Sequence, residues 1–307
     1  MKDSLRSQIL HILKEDQILE REPMKLHTTF RVGGAADAIL IPENEEEAGA
    51  LLRLFSDCGE PFFLLGNGSN LLVSDSGYRG TIIWIDQNMN RISIRDDQIT
   101  TQAGALLVRI ASCAQEAGLT GMEFASGIPG TLGGGITMNA GAYGGEMKDI
   151  VKSVRLFDIK KGEPIEVSGE EMHFAYRTSL VKEGSYAVLG ATLQLKQGDA
   201  KEILLRMEEL KRQRTQKQPL EYPSAGSTFK RPEGYFAGKL IDDAGLRGFQ
   251  KGGAMVSKKH AGFVINTGNA TAEDIIALIR EVRNRVHAHS GVWLEPEVCM
   301  LGEGLTL

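Results

Sequence analysis

The chain has 307 residues, 42% of them hydrophobic and 24% charged, with a net charge of -5. That length exceeds one ordinary core and calls for two or three domains or subdomains, in a composition typical of a globular protein with no low-complexity tract. No broad excess of Lys and Arg exists to displace phosphate counterions, which argues against nucleic acid. A charged N-terminus and the lack of an apolar run of about 18 residues argue against a signal peptide and a membrane span, so the expected location is cytoplasmic.

In chain order, MKDSLRSQILHILKEDQ sets Leu5, Ile9, Ile12 and Leu13 at helical spacing. Asn44 followed by Glu45, Glu46 and Glu47 reads as a helix cap, with Ala48, Leu51, Leu52 and Phe55 as one apolar face, ended by Gly59 and Pro61. PFFLLG reads as a buried strand and GTIIWID, residues 80–86, as another. ISIRDDQITTQAG and VRLFDIKKGEPIEV each read as two strands around a polar turn. Between them a helix from Ala105 to Gly118 carries Leu106, Ile110 and Ala117 inward. A helix over 199–214 with Ile203, Met207 and Leu210 inward and a basic end marks a crossing into another domain. The last part has short strands in GAMVS and AGFVIN. They precede a helix capped by Thr271 and Asp274, with Ile275, Ile279, Val282 and Val286 as its stripe. The order of elements is mixed α+β. Cys58, Cys113 and Cys299 are far apart and unpaired in spacing, so they read as small core residues, and no metal site is expected.

Two glycine-rich segments stand out. LLGNGSNLLVSD places Gly66, Asn67, Gly68, Ser69 and Asn70 after a strand, where the loop either makes a tight turn or aims consecutive N–H groups at one anion. It is neither a Walker loop nor a good GxGxxG, since Leu71 takes the third glycine's place. FASGIPGTLGGGITMNAGAYGGE carries glycines at 127, 130, 133, 134, 135, 141, 144 and 145. Each costs roughly 0.5–1 kcal/mol of backbone entropy relative to alanine. A compensating ligand follows from that density, and two such loops without a Walker lysine point to an extended pyrophosphate, as in a dinucleotide.

GNGSNLLV, GIPGTLGGGITMNAGAYGGE, YRTS at 176–179, AGSTFKRP and LEPEV, in that order and nearly end to end, resemble the UDP-N-acetylenolpyruvoylglucosamine reductase (MurB) family of peptidoglycan synthesis. The resemblance implies an FAD-binding domain of the vanillyl-alcohol-oxidase (PCMH) type in two subdomains, residues 1–85 and 86–198. A C-terminal α+β substrate-binding domain, 199–307, would follow, its tail returning to the active site. It also implies reduction of UDP-N-acetylglucosamine enolpyruvate to UDP-N-acetylmuramate, with NADPH as hydride donor through bound FAD. The short stretch between YRTS and YAVLGATLQL leaves little room for an additional tyrosine-bearing loop, so the shorter type is expected. No obligate protein partner is evident.

By motif, the family's pyrophosphate contacts fall on Gly66, Asn67, Gly68, Ser69 and Asn70, and its flavin contacts on Ile128, Pro129, Gly130, Ile136, Gly141 and Arg214. Tyr143, Lys217 and Lys230 fall on the side of the UDP-sugar substrate. Hydride addition to the enolpyruvyl methylene places charge on the neighbouring carbon and its carboxylate, so cationic groups must meet it. Arg177 matches the family's catalytic arginine, and a guanidinium suits bidentate grip of a carboxylate. Read alone it would be a surface ion-pair residue. Glu297, just before Val298, matches the catalytic glutamate. Ser227 matches the residue that protonates the carbanionic carbon, and needs a neighbour such as Lys230 or Glu297 to make its hydroxyl acidic enough. Absence of GxSxG removes a serine-hydrolase reading. His287 and His289, two apart on a helix, would not share a face, and with His260 are set aside as bases or ligands.

Overall fold

In the computed structural model, which describes residues 2–85 and 88–307, the amphipathic N-terminus forms α1 (Asp3–Ile9), burying Leu5 and Ile9, with Leu13 buried beyond it. Helix α2 (Glu45–Cys58) starts where its cap predicts: the Asn44 side chain accepts from the Glu47 N–H at 2.8 Å. It stops at Gly59, whose φ of 63° is the left-handed turn of a helix C-terminus. The chain divides into two compact units, one of Met1–Glu20, Ala38–Asn67 and Gly80–Arg214, the other of Arg21–Asp37, Gly68–Arg79 and Thr215–Leu307.

The first unit holds a four-stranded sheet in the order Ile18–Glu20, Ala36–Leu40, Tyr78–Trp84, Phe62–Leu65, with the last pair parallel. Its second sheet has five antiparallel strands in the order Glu163–Ser168, Val151–Asp158, Tyr186–Gln194, Gln98–Gln102, Ile92–Arg95. Both predicted hairpins are there. Asp86, assigned from the sequence to the end of GTIIWID, lies outside the described residues. The strand in PFFLLG is less buried than expected: Phe62, Phe63 and Leu64 are half-buried, and Leu65 is the residue taken into the core. Helix α3 (Leu107–Glu116) also turns by one position, burying Leu107, Ile110, Ala111 and Ala114 rather than Leu106 and Ala117. The cause is that Leu106 caps the helix in extended conformation and makes an isolated bridge to Thr131.

The glycine-dense segment contains a six-residue helix, α4 (Leu132–Thr137), that the sequence does not announce. Two of its three glycines, Gly133 and Gly135, sit in close approach. A Cβ on Gly133 would lie 3.3 Å from the Ala103 Cβ, and one on Gly135 3.0 Å from Leu107. Packing against α3 and the strand end at Ala103 therefore accounts for part of the density that the sequence alone assigns to a ligand. Helix α5 (Ala200–Lys217) buries Ile203 and Leu210, with Met207 half-buried, and extends past the expected end to Lys217. The division between units falls within it.

The second unit is built on a three-stranded antiparallel meander, Gln250–Lys251, Ala254–Val256 and Val264–Asn266, with a parallel pair formed by Leu71–Val73 and Cys299–Leu301. Helix α6 (Ala237–Asp243) and helix α7 (Ala272–Ser290) complete it. The capping box of Thr271 and Asp274 is present, and the N–H groups of Ala272 and Glu273 donate to the Asp75 carboxylate at 2.8 and 3.0 Å. Ile275, Ile279, Val282 and Val286 form the buried stripe; full burial of each is worth roughly 1.5–3 kcal/mol. The cysteine reading needs correction. Cys58 is exposed on the last turn of α2, Cys113 is half-buried within α3, and Cys299 is half-buried at the start of the strand Cys299–Leu301. No helix among the described residues is long and apolar enough to cross a membrane.

Candidate active site

In the first unit, the strand Phe62–Leu65 delivers the chain to Gly66, whose carbonyl accepts from the Trp84 indole at 3.1 Å. A Cβ on Gly66 would lie 2.4 Å from the Thr131 hydroxyl, so only glycine fits there. Thr131 is buried and caps α4 by accepting from the Gly134 N–H. Asn67 donates through its side chain to the Pro129 carbonyl at 2.7 Å. Two parts of the chain 62 residues apart, both singled out as candidate cofactor loops, are thereby pinned together. Of the predicted lining, Ile128 and Gly130 are half-buried and Pro129 is exposed, whereas the Ile136 side chain is buried in the core.

Arg214 lies against the same loop, its Cδ 3.0 Å from where a Gly127 Cβ would be. Burial pulls its pKa below the ordinary arginine value, with Tyr143 acting the other way. Among the described residues no carboxylate pairs with it. A guanidinium stays charged under these conditions, and a half-buried cation without an acidic partner is a receptor for an anion or a polarised ring. These residues fit an FAD: glycines where a side chain would collide, a pinned pair of loops, and one cation without a protein anion.

Arg177 and Tyr143 stand on turns. Ala175 and Thr178 exchange backbone hydrogen bonds at 3.2 Å, which leaves Tyr176 and Arg177 at the tip, Arg177 with φ 56°. Its guanidinium carbon lies 5.3 Å from the centre of the exposed Tyr176 ring. Tyr143 (φ 53°) and Gly144 (φ 90°) join Gly141–Ala142 to Gly145–Glu146, and positive φ at both positions is the signature of a type I′ hairpin. Asn139, inside the quoted motif but not selected from it, connects these turns. It is buried at 1% exposure, donates to Ala175 O and Glu146 Oε2 at 3.1 Å each, and accepts from the Lys148 N–H at 3.0 Å. An asparagine just beyond a helix end, where φ turns positive, is the signal that would have found it.

In the second unit, Gly68 (φ 59°) is wedged against residues 27–28: a Cβ would lie 2.0 Å from the His27 carbonyl oxygen. The Asn70 amide donates to the Glu297 carbonyl at 3.1 Å, and the Asn70 carbonyl accepts from the Cys299 N–H at 3.0 Å. This unit also brings Ser227 and Glu297 onto neighbouring segments. Thr228, fully buried, donates its N–H to Gly262 O, takes the Val264 N–H on its hydroxyl, and accepts the Glu297 N–H on its carbonyl at 2.8 Å. Phe229 bridges Pro296, and the Lys230 N–H donates to Glu295 O. Ser227 is left exposed between buried neighbours Ala225 and Thr228. The Lys230 ammonium is engaged by Glu295 at 2.5 Å, so its charge is directed toward that carboxylate. Lys217 is exposed at the end of α5, and Ser69 is half-buried. His287 stacks on Trp293 at 4.1 Å and His289 is exposed, both on the surface of α7; burial lowers the pKa of His260, which packs edge-on to Phe263.

Residues 36–168 match the model of an FAD binding domain, and residues 218–301 match that of the UDP-N-acetylenolpyruvoylglucosamine reductase C-terminal domain. A UDP-N-acetylenolpyruvoylglucosamine reductase of Clostridioides difficile (strain 630) is 51% identical over 96% of this chain and 97% of its own. One of Caldanaerobacter subterraneus subsp. tengcongensis is 48% identical over 99% of this chain and 100% of its own. The crystal structure of the Thermus caldophilus enzyme of that name superposes with a TM-score of 0.80 at 37% identity, covering 92% of this chain and 98% of that one. The α+β fold, with an FAD binding domain followed by the reductase's C-terminal domain, and the near full-length identity place the chain in the UDP-N-acetylenolpyruvoylglucosamine reductase family.

Proposed function

We propose that the chain reduces UDP-N-acetylglucosamine enolpyruvate to UDP-N-acetylmuramate, with NADPH as reductant and FAD as bound carrier, as a cytoplasmic step of peptidoglycan precursor synthesis. The observation that carries this reading is the presence in one chain of an FAD binding module, residues 36–168, and the reductase-specific module, residues 218–301. When bound, FAD supplies two-electron hydride chemistry between NADPH and the enolpyruvyl group. Gly66, Asn67, Gly68, Ser69 and Asn70 would hold its pyrophosphate, while Ile128, Pro129, Gly130, Ile136, Gly141 and Arg214 would serve the flavin. Arg214's lack of a carboxylate supports that assignment, and Ile136 would act through the packing of α4 because its side chain is in the core. We take 1–85 and 86–198 as the FAD-binding subdomains and 199–307 as the substrate-binding domain of the shorter family type. Only residues 179–185 separate the Arg177 turn from the strand Tyr186–Gln194, which supports the loop-lacking assignment.

The protein's own groups then have separable tasks. Arg177 grips the substrate carboxylate through two parallel hydrogen bonds and stabilises the negative charge that develops beside it. Ser227 delivers a proton to the carbon next to that carboxylate; its exposure supports access to a substrate. Glu297 assists that transfer from the segment hydrogen-bonded to Thr228, the residue after Ser227. Tyr143, Lys217 and Lys230 are assigned to the UDP-sugar, Lys230 by exchanging its Glu295 contact for a substrate anion. Purified protein should carry stoichiometric FAD and oxidise NADPH only when the enolpyruvyl sugar nucleotide is added, with UDP-N-acetylmuramate identified by mass. A flavin-free protein, or NADPH oxidation independent of the sugar nucleotide, would overturn the reading.

A further inference from the structure

We infer that Asn139 is a positioning residue for substrate reduction, holding the Arg177 turn and the Tyr143 hairpin in one arrangement; this rests on the roles proposed above for those two side chains. Both amide hydrogens of Asn139 are committed, one to each loop. The Ala175 carbonyl that it meets at 3.1 Å is the same oxygen that closes the Arg177 turn by accepting from the Thr178 N–H at 3.2 Å. Glu146, its other acceptor, pairs with Gly141 across the hairpin whose tip is Tyr143. The Asn139 oxygen takes the Lys148 N–H, fixing the chain just after that hairpin.

Burial makes these bonds exclusive, because almost no water reaches the amide to replace a lost partner. Geometry makes them specific. With φ at 42°, the residue occupies backbone space that asparagine tolerates better than most side chains, and its short amide reaches two loops that no backbone ladder joins. Arg177 is itself at φ 56°, a conformation that persists only where its surroundings over-determine it. Asn139 supplies one of those determinants. It touches neither reacting atom nor cofactor in this account and acts through Arg177 and Tyr143.

Two substitutions separate this role from scaffolding. Asn139→Gly keeps the positive φ without strain and removes all three hydrogen bonds. Asn139→Asp keeps an acceptor for the Lys148 N–H but loses the donors and sets a carboxylate beside Glu146. Calorimetry on the FAD-loaded protein would compare binding of UDP-N-acetylglucosamine enolpyruvate with UDP-N-acetylglucosamine, which lacks the carboxylate. The wild type should favour the enolpyruvyl compound. Both variants should lose about tenfold or more of that preference, as Arg177→Lys does, with a smaller loss of affinity for UDP-N-acetylglucosamine through the Tyr143 hairpin, while their FAD content stays unchanged. Substrate-driven reoxidation of the reduced flavin should slow by about a hundredfold. Acidification should return part of the loss in Asn139→Asp, since the protonated acid regains one donor. Unchanged preference in either folded variant, or equal loss of both ligands and of FAD, would overturn the inference. A wild type without the preference would overturn the functional reading itself.

Discussion

Arg177, Tyr143 and Asn139 of the first unit stand at φ values of 56°, 53° and 42°, on turns closed by backbone bonds and cross-tied by the Asn139 side chain, whereas Ser227 and Glu297 of the second stand on segments tied by backbone rungs at Thr228 and Lys230. A left-handed residue with a side chain costs roughly 1–2 kcal/mol. On the proposed roles the first unit bears that cost where a long side chain must project from a tip toward an anion. On the same roles the second needs no such strain at Ser227, because the segment carrying it is tied by backbone bonds at Thr228 and Lys230. On that reading, charge recognition and proton delivery are built by different means in one chain.

In the first unit the largest break in this comparison comes from the tip residue. Arg177→Lys keeps the charge and loses the planar fork, and substrate reduction should fall by about a hundredfold or more, with flavin reduction by NADPH intact, as read from the two half-reactions. Next come two glycines with the same sign of φ and different surroundings. Gly68→Ala adds a clash with the His27 carbonyl to the conformational cost and should destabilise by about 3 kcal/mol or more. Gly144→Ala, with open space around the new methyl, should cost about 1 kcal/mol in the same thermal melts. Equal losses would mean that close packing is not what fixes the Gly68 turn.

The smallest effect concerns a cap in the second unit. The N–H of Gly253 and then that of Thr271 hold Asp274 below the ordinary aspartate pKa. A depressed carboxylate contributes its stability in full above the unfolded value and loses it as pH falls through about 4 toward the folded one. Asp274→Asn should therefore cost about 1 kcal/mol at neutral pH and flatten the acid limb of a stability profile. An unchanged acid limb would assign that slope to other carboxylates.

Much of the frame is legible in residues close in sequence. Asn44 with Glu47, Thr271 with Asp274 and the two hairpins carry local signals that folding does not override. Helix α4 is illegible because three consecutive glycines disfavour helix; Ala103 and Leu107, distant in sequence, make small size the condition for packing at Gly133 and Gly135. Motif resemblance named Arg177, Ser227 and Glu297. The positive φ of Arg177, the bond from Asn70 to Glu297 and the three-way role of Asn139 depend on contacts between segments far apart in the chain. Such pairings have no spacing rule, which is why Asn139 escaped the sequence while the residues carried by the motifs did not.

The most direct measurement is an anaerobic two-step experiment on Ser227→Ala, watched by flavin absorbance. NADPH should reduce the bound flavin at the wild-type rate, and reoxidation by UDP-N-acetylglucosamine enolpyruvate should slow by about a thousandfold, the range expected for loss of a general acid. Equal slowing of both steps, or reoxidation at the wild-type rate, would contradict Ser227 as the proton donor.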